Sequence, residues 1–126
     1  MRLIVDTSVL IDHLRGGSTW KDVLDKLPAD TELFVATIIF YELFSGKSTN
    51  DPAIISKIHK LLSNFERIDL NEDIARQAGV LFRDTKKTLQ VPDYIIVASA
   101  LGINATVMTL NKKHFQQIPN LSIYPI

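Results

Sequence analysis

LIVDTSVLID, residues 3–12, passes from strand to helix across a single carboxylate. Leu3, Ile4 and Val5 read as a short buried strand, an apolar run rich in β-branched side chains. Asp6 ends that strand, and Val9, Leu10 and Ile11 return at once to apolar character. A carboxylate taken out of water costs several kcal/mol unless something compensates it. The position of Asp6 therefore asks what compensates it.

Outward from this stretch, short apolar strands alternate with helical segments. Arg2 to Val5 is the first strand, followed by a short helix over Ser8 to Arg15 that stops at Gly16-Gly17. Thr19 to Leu27 reads as a helix ending before Pro28, and Leu33 to Ala36 as a second strand. Thr37 is placed to cap a helix over Ile38 to Gly46. GKSTND, residues 46–51, is the most polar stretch and reads as a loop. Pro52 to Phe65 is amphipathic, with Ile54, Ile55, Ile58, Leu61 and Leu62 inward, and Arg67 to Leu70 is a weak third strand.

Asn71 is an N-cap candidate for a longer helix, with Glu72 and Asp73 suited to its first turn. Ile74, Ala78, Leu81, Phe82 and Thr85 fall on one face of it. Pro92-Asp93 opens a further helix that ends near Gly102. Ala105 to Thr109 is a fourth strand, Lys112 to Gln116 a helical turn, and Leu121 to Tyr124 a last strand. Such alternation implies an α/β fold with a mostly parallel sheet of about five strands and helices on both faces. Reactive groups gather at the carboxyl ends of strands in such sheets. Asp6 stands at one of these ends.

Bulk properties narrow the class. A chain of 126 residues with 46% apolar content suits one domain with one core, spanning 1–126 without an internal boundary. Basic and acidic residues balance at 14 each, which argues against a general positive coat but not against a local basic patch. There is no cysteine, so disulfides and thiolate metal sites are excluded. The N-terminus does not resemble a secretory signal, and no apolar run is long enough to cross a bilayer. A cytoplasmic protein without membrane contact is expected.

Two other acids share the setting of Asp6. Glu42 lies in IIFYELF, and Asp93 precedes the almost wholly apolar YIIVASALG. Each has an ordinary role open to it: Asp6 as a helix cap, Glu42 on a narrow solvent stripe, Asp93 at the positive end of its own helix. Together they read differently, because the fold can bring all three to one edge of the sheet. Converging carboxylates repel unless protonated or bridged by a cation. Oxygen ligands without Cys or paired His point to Mg²⁺ or Mn²⁺.

On these residues the chain resembles the PIN-domain ribonucleases, and among them the VapC-type toxins of toxin-antitoxin pairs. LIVDTSVLIDHLRG resembles the opening motif, TIIFYELFSG the second, and VPDYIIVASALGINATVMTLNKKHF the closing half. The resemblance implies a PIN-like three-layer α/β/α fold and a divalent-metal-dependent endoribonuclease. It implies Asp6, Glu42 and Asp93 as the acidic catalytic set, with Asp6 and Asp93 as metal ligands. It implies in-line cleavage leaving a 5′-phosphate and a 3′-hydroxyl, a homodimer, and inhibition by a VapB-type antitoxin. The substrate range it suggests is tRNA or rRNA loops. Where the family often carries a fourth acid, this chain has Asn111, whose amide oxygen can ligate but adds no charge. Thr7, Ser8 and Thr109 are hydroxyl neighbours suited to hold waters or orient ligands.

Lys112 and Lys113, beside Asn111, are the preferred RNA contacts. The pair Lys57 and Lys60 and the bunch Arg83, Lys86 and Lys87 read as solvated faces. Tyr41 and Trp20 can stack on a base, with core packing the stronger expectation for both. His13, His59 and His114 are dispersed, which disfavours a metal-free two-histidine ribonuclease. A haloacid-dehalogenase-type phosphatase needs a second Asp two residues after the first, where this chain has Ser8. The paired acids of a phospho-receiver domain are also missing. The remaining alternative is a PIN-like RNA- or protein-binding module with weakened catalysis.

Overall fold

A computed structural model of the chain describes residues 1–85 and 87–126. Lys86, assigned above to a basic bunch with Arg83 and Lys87, lies outside the described residues. Four strands, β1 (Arg2–Val5), β2 (Glu32–Ala36), β3 (Glu66–Ile68) and β4 (Thr106–Met108), form a parallel sheet in the order β3-β2-β1-β4. The helices are α1 (Thr7–Leu14), α2 (Thr19–Lys26), α3 (Ile38–Phe44), α4 (Pro52–Leu62), α5 (Glu72–Asp84), α6 (Val91–Gly102) and α7 (Lys112–Phe115). They flank the sheet to give the three-layer α/β/α arrangement that the alternation predicts.

β1 is central and fully buried from Leu3 to Val5, which explains its uninterrupted apolar run. It pairs with β2 on one side and β4 on the other. The chain leaves β1 toward β2 and later returns to β4, so the gap between β1 and β4 is a topological switch point. A crevice forms at the strand ends there, because the connections diverge. Asp6 sits at that point, its N–H bonded to the Met108 carbonyl at 2.9 Å.

The expected fifth strand is only a parallel bridge between Val107 and Ile123. Val107 N–H donates to Ser122 and Tyr124 N–H to Val107, both on the outer edge of β4. Pro119 and Pro125 flank the segment, and proline has no N–H for a ladder, so the pairing stays short.

Local chemistry sets several helix ends. Gly16 closes α1 in the left-handed region at φ +90°, and Gly17 lies so close over the Asp12 carboxylate that a Cβ there would clash with it. Asp51 caps α4 through Ala53 N–H, and Asn71 caps α5 through Ile74 N–H, each at 2.9 Å. Thr37 does not cap α3; its hydroxyl instead accepts the Leu70 N–H at 3.3 Å. Helix α6 is buried continuously from Tyr94 to Ala100 and packs on α5, α3, β2 and β4. That accounts for its lack of a polar face. Phe82, expected inward, is half exposed and meets Tyr94 edge-on at 5.7 Å. No helix among the described residues is long and apolar enough to cross a membrane.

Candidate metal-dependent nuclease site

Asp6, Glu42 and Asp93 come from three elements: the end of β1, the middle of α3 and the first turn of α6. Asp6 is 2% exposed, while Glu42 and Asp93 are half-buried. Asp6 occupies the N-cap position of α1, yet its side chain makes no capping bond. The carboxylate turns to other donors. Ser8 and Thr109 each donate a hydroxyl to Oδ2 at 2.7 Å.

Those two hydroxyls also accept, from the Leu110 and Asn111 N–H groups respectively, both at 3.0 Å. The turn after β4 is thereby tied to Asp6 through Ser8 and Thr109. Thr7 donates to Glu42 Oε1 at 2.7 Å, and the Gln90 N–H donates to Asp93 Oδ2 at 3.1 Å. Each carboxylate thus has one oxygen held by the protein. Among the described residues no protein donor reaches the other oxygen of any of the three.

Electrostatics agree with convergence. Desolvation raises the pKa of Glu42, opposed by the Thr7 hydroxyl and reinforced by the negative charges of Asp6 and Asp93. Desolvation also raises that of Asp93, opposed by the Gln90 N–H, with Asp6 raising it and His114 lowering it. The ion pairs among the described residues are Arg2–Glu32, Arg76–Asp73 and Arg83–Asp84, none of which involves the three site acids.

Three part-desolvated carboxylates without a cationic partner, each with one oxygen available, form a donor set suited to a hard divalent ion. As they stand, no three His, Cys, Asp or Glu side chains among the described residues lie close enough to share one ion. The fit is to an ion held by one or two carboxylates with water completing its shell, the usual habit of Mg²⁺.

Thr7 and Thr109 are buried and Ser8 partly so, all within the hydrogen-bonded set just described. Asn111 is exposed at the N-terminus of α7. Lys113 and His114 are exposed, while the Lys112 ammonium donates to the backbone oxygen of Ile126. Trp20 is buried against Phe65, as core packing requires, but Tyr41 is 69% exposed next to Glu42. Two features escaped the sequence reading. His114 reaches Asp93 electrostatically. Arg15 and Lys57 share a cavity with Glu42. The position of His114 one turn after Asn111 is the only sequence signal for the first, and nothing in spacing signals the second.

The PIN domain family model matches residues 3–121. The chain belongs to the PIN-domain family. This PIN domain is 31% identical over 122 residues to ribonuclease VapC10 of Mycobacterium tuberculosis, covering 94% of the chain and 90% of that protein. It is 29% identical to ribonuclease VapC19 of the same organism, covering 94% and 95%. In three dimensions it resembles a chain of a toxin-antitoxin complex from Klebsiella pneumoniae, with TM-score 0.78, 29% identity and coverage of 98% and 99%. A chain of VapBC2 from Rickettsia felis, bound to a promoter DNA fragment, shares the fold of this PIN domain with TM-score 0.83, 23% identity and 98% coverage of each chain. The PIN domain here is therefore of the VapC type.

Proposed function

We propose that the protein is a divalent-metal-dependent endoribonuclease acting as the toxin of a toxin-antitoxin pair. The observation that carries this reading is the shared state of Asp6, Glu42 and Asp93: converging, unpaired with any cation, each with one oxygen held and one available. The relatives named as VapC ribonucleases support the substrate class, and the toxin-antitoxin complexes among the structural neighbours support a VapB-type antitoxin as partner.

Asp6 and Asp93 are the residues that would hold Mg²⁺ or Mn²⁺. A bound ion supplies positive charge to the scissile phosphate and acidifies a coordinated water. The chain's own groups do the rest. Ser8 and Thr109 fix the rotamer of Asp6, and Thr7 fixes that of Glu42. Glu42, whose raised pKa makes it a better base than an exposed glutamate, takes a proton from the attacking water. Lys112, Lys113 and Asn111 edge a cavity of about 470 Å³ beside α7 and serve as contacts for a flanking phosphate. A homodimer completes the reading.

A second reading, a PIN-like module with weakened catalysis, draws on Asn111 and on the absence of three acids within reach of one ion among the described residues. Mapping of cleavage ends in total RNA separates the two. The nuclease reading expects new 5′-phosphate ends with Mg²⁺ or Mn²⁺, none in EDTA, and none from Asp6→Asn. Cleavage that persists in EDTA or in Asp6→Asn would sink it. RNA binding without cleavage by wild type in either metal would favour the weakened module.

A further inference from the structure

Building on the nuclease reading, we propose that His114 is a further substrate-contacting residue, whose imidazole N–H donates to a non-bridging oxygen of the phosphodiester being cut. Helix α7 is tied at both ends to the elements that carry the acids. At its start, the Leu110 N–H donates to the Ser8 hydroxyl and the Asn111 N–H to the Thr109 hydroxyl, and both hydroxyls donate on to Asp6. Just past its end, Gln117 Oε1 accepts the Thr88 hydroxyl at 3.0 Å, a short way ahead of Asp93 in the chain. Between these ties Phe115 is fully buried and anchors the turn. His114 is exposed beside that anchor. Its backbone is thereby fixed relative to Asp6 and to the start of α6, while its ring faces outward.

The surroundings of the ring select its partner. His114 lines the cavity of about 470 Å³ together with Asn111, Lys112 and Lys113, and no Asp or Glu among the described residues joins them. It takes part in none of the ion pairs among the described residues. From that wall its charge is felt at Asp93, where it opposes the influence of Asp6. His114 therefore stands between a site acid and a basic cavity. Carboxylates offer acceptors only, so a phosphodiester drawn to Asp6, Glu42 and Asp93 needs its donors from another wall, and α7 supplies one. A neutral imidazole and an imidazolium both have an N–H to give, so the contact does not depend on protonation. Such a donor gains strength as negative charge builds on the phosphoryl oxygens in the transition state.

The test has two arms, both on the full-length protein. In the first, ¹⁵N-histidine NMR spectra are recorded in EDTA during titration with oligouridine, and His114→Gln identifies the signals of the ring. The His114 signals are expected to shift. In the second, cleavage of an RNA spanning a mapped cut is measured with Mg²⁺. His114→Ala is expected to lower kcat about tenfold to a hundredfold with KM within about threefold, since the donor acts mainly on the transition state. His114→Gln keeps an N–H and is expected to be at least about threefold faster than the alanine variant. Mn²⁺ affinity of His114→Ala, read by EPR of the free ion, is expected to be unchanged or up to about threefold tighter, because a positive neighbour of Asp93 is gone.

His114 signals that stay still throughout the titration overturn the proposal. So does a His114→Ala variant with the wild-type kcat, or an equal loss in the alanine and glutamine variants. Weakened Mn²⁺ affinity in His114→Ala also overturns it, by making the ring a support for the ion rather than a phosphate donor. A wild type that cuts no RNA with metal, while its His114 signals move with oligouridine, counts against the nuclease reading alone, since the NMR arm is run without metal.

Discussion

The Thr109 hydroxyl donates to Asp6 Oδ2 at 2.7 Å across 103 residues of sequence, while the Thr109 Oγ1 itself accepts the Asn111 N–H at 3.0 Å. One fully buried side chain thus sets both the rotamer of the central carboxylate and the path of the turn beside it. Loss of this hydroxyl strands the Asn111 N–H and leaves the buried Asp6 Oδ2 with Ser8 alone as its donor among the described residues. Thr109→Val is expected to destabilise the fold by about 1–3 kcal/mol in urea melts and to lower RNA cleavage, with Thr109→Ser restoring most of both. Equal stability of the valine and serine variants would contradict this.

Asp6→Asn separates chemistry from folding. The amide keeps the shape of the carboxylate and one acceptor oxygen, so the thermal midpoint should move by only a few degrees. Cleavage should fall by about a hundredfold or more, since a neutral group holds a hard cation poorly. A variant that unfolds at working temperature would show instead that Asp6 serves mainly the fold.

The raised pKa values of Glu42 and Asp93 have a definite sign in stability. A carboxyl whose folded pKa lies above its unfolded value binds its proton more tightly in the folded state. The stability from that protonation is complete below the ordinary values of 4.5 for Glu42 and 3.8 for Asp93, and is lost as pH rises through the raised values. Metal-free protein should therefore gain from these two groups on mild acidification below neutrality. Glu42→Gln with Asp93→Asn should flatten that dependence, measured as thermal midpoint against pH in EDTA. Mg²⁺ or Mn²⁺ should raise the midpoint more at neutral than at acid pH, because protons and cations compete for the same oxygens. An identical metal shift at both pH values would argue against carboxylate binding.

Asn111 stands exposed at the rim, where a carboxylate would add charge without burial. Asn111→Asp is expected to lower the Mg²⁺ concentration for half-maximal cleavage about three- to tenfold, because affinity follows ligand charge. It should also slightly lower stability in EDTA, through added repulsion. A metal titration of cleavage that coincides with wild type would place residue 111 outside the site's electrostatic reach.

Remote from the acids, Asn71 Oδ1 accepts the Ile74 N–H at the start of α5. Asn71→Ala should cost about 1 kcal/mol in urea melts and leave RNA cleavage per folded molecule unchanged.

Local sequence by itself determined the strand-helix alternation, the Asn71 cap, the Gly16 stop and the burial of α6, because these depend on periodicity and on residues a few positions apart. It also marked Asp6, Glu42 and Asp93 as misfits in apolar surroundings. It overestimated the last strand, where flanking prolines limit the ladder to a bridge. It placed Phe82 inward because helical spacing defines a face but not its edge. Only the tertiary structure decided which oxygen of each carboxylate is held, since those bonds reach from Asp6 to Thr109 and from Glu42 to Thr7. Likewise, only tertiary packing puts Arg15 and Lys57 in one cavity with Glu42. Charges on separate helices gain a shared field when the chain folds, and no local pattern in the sequence encodes that field.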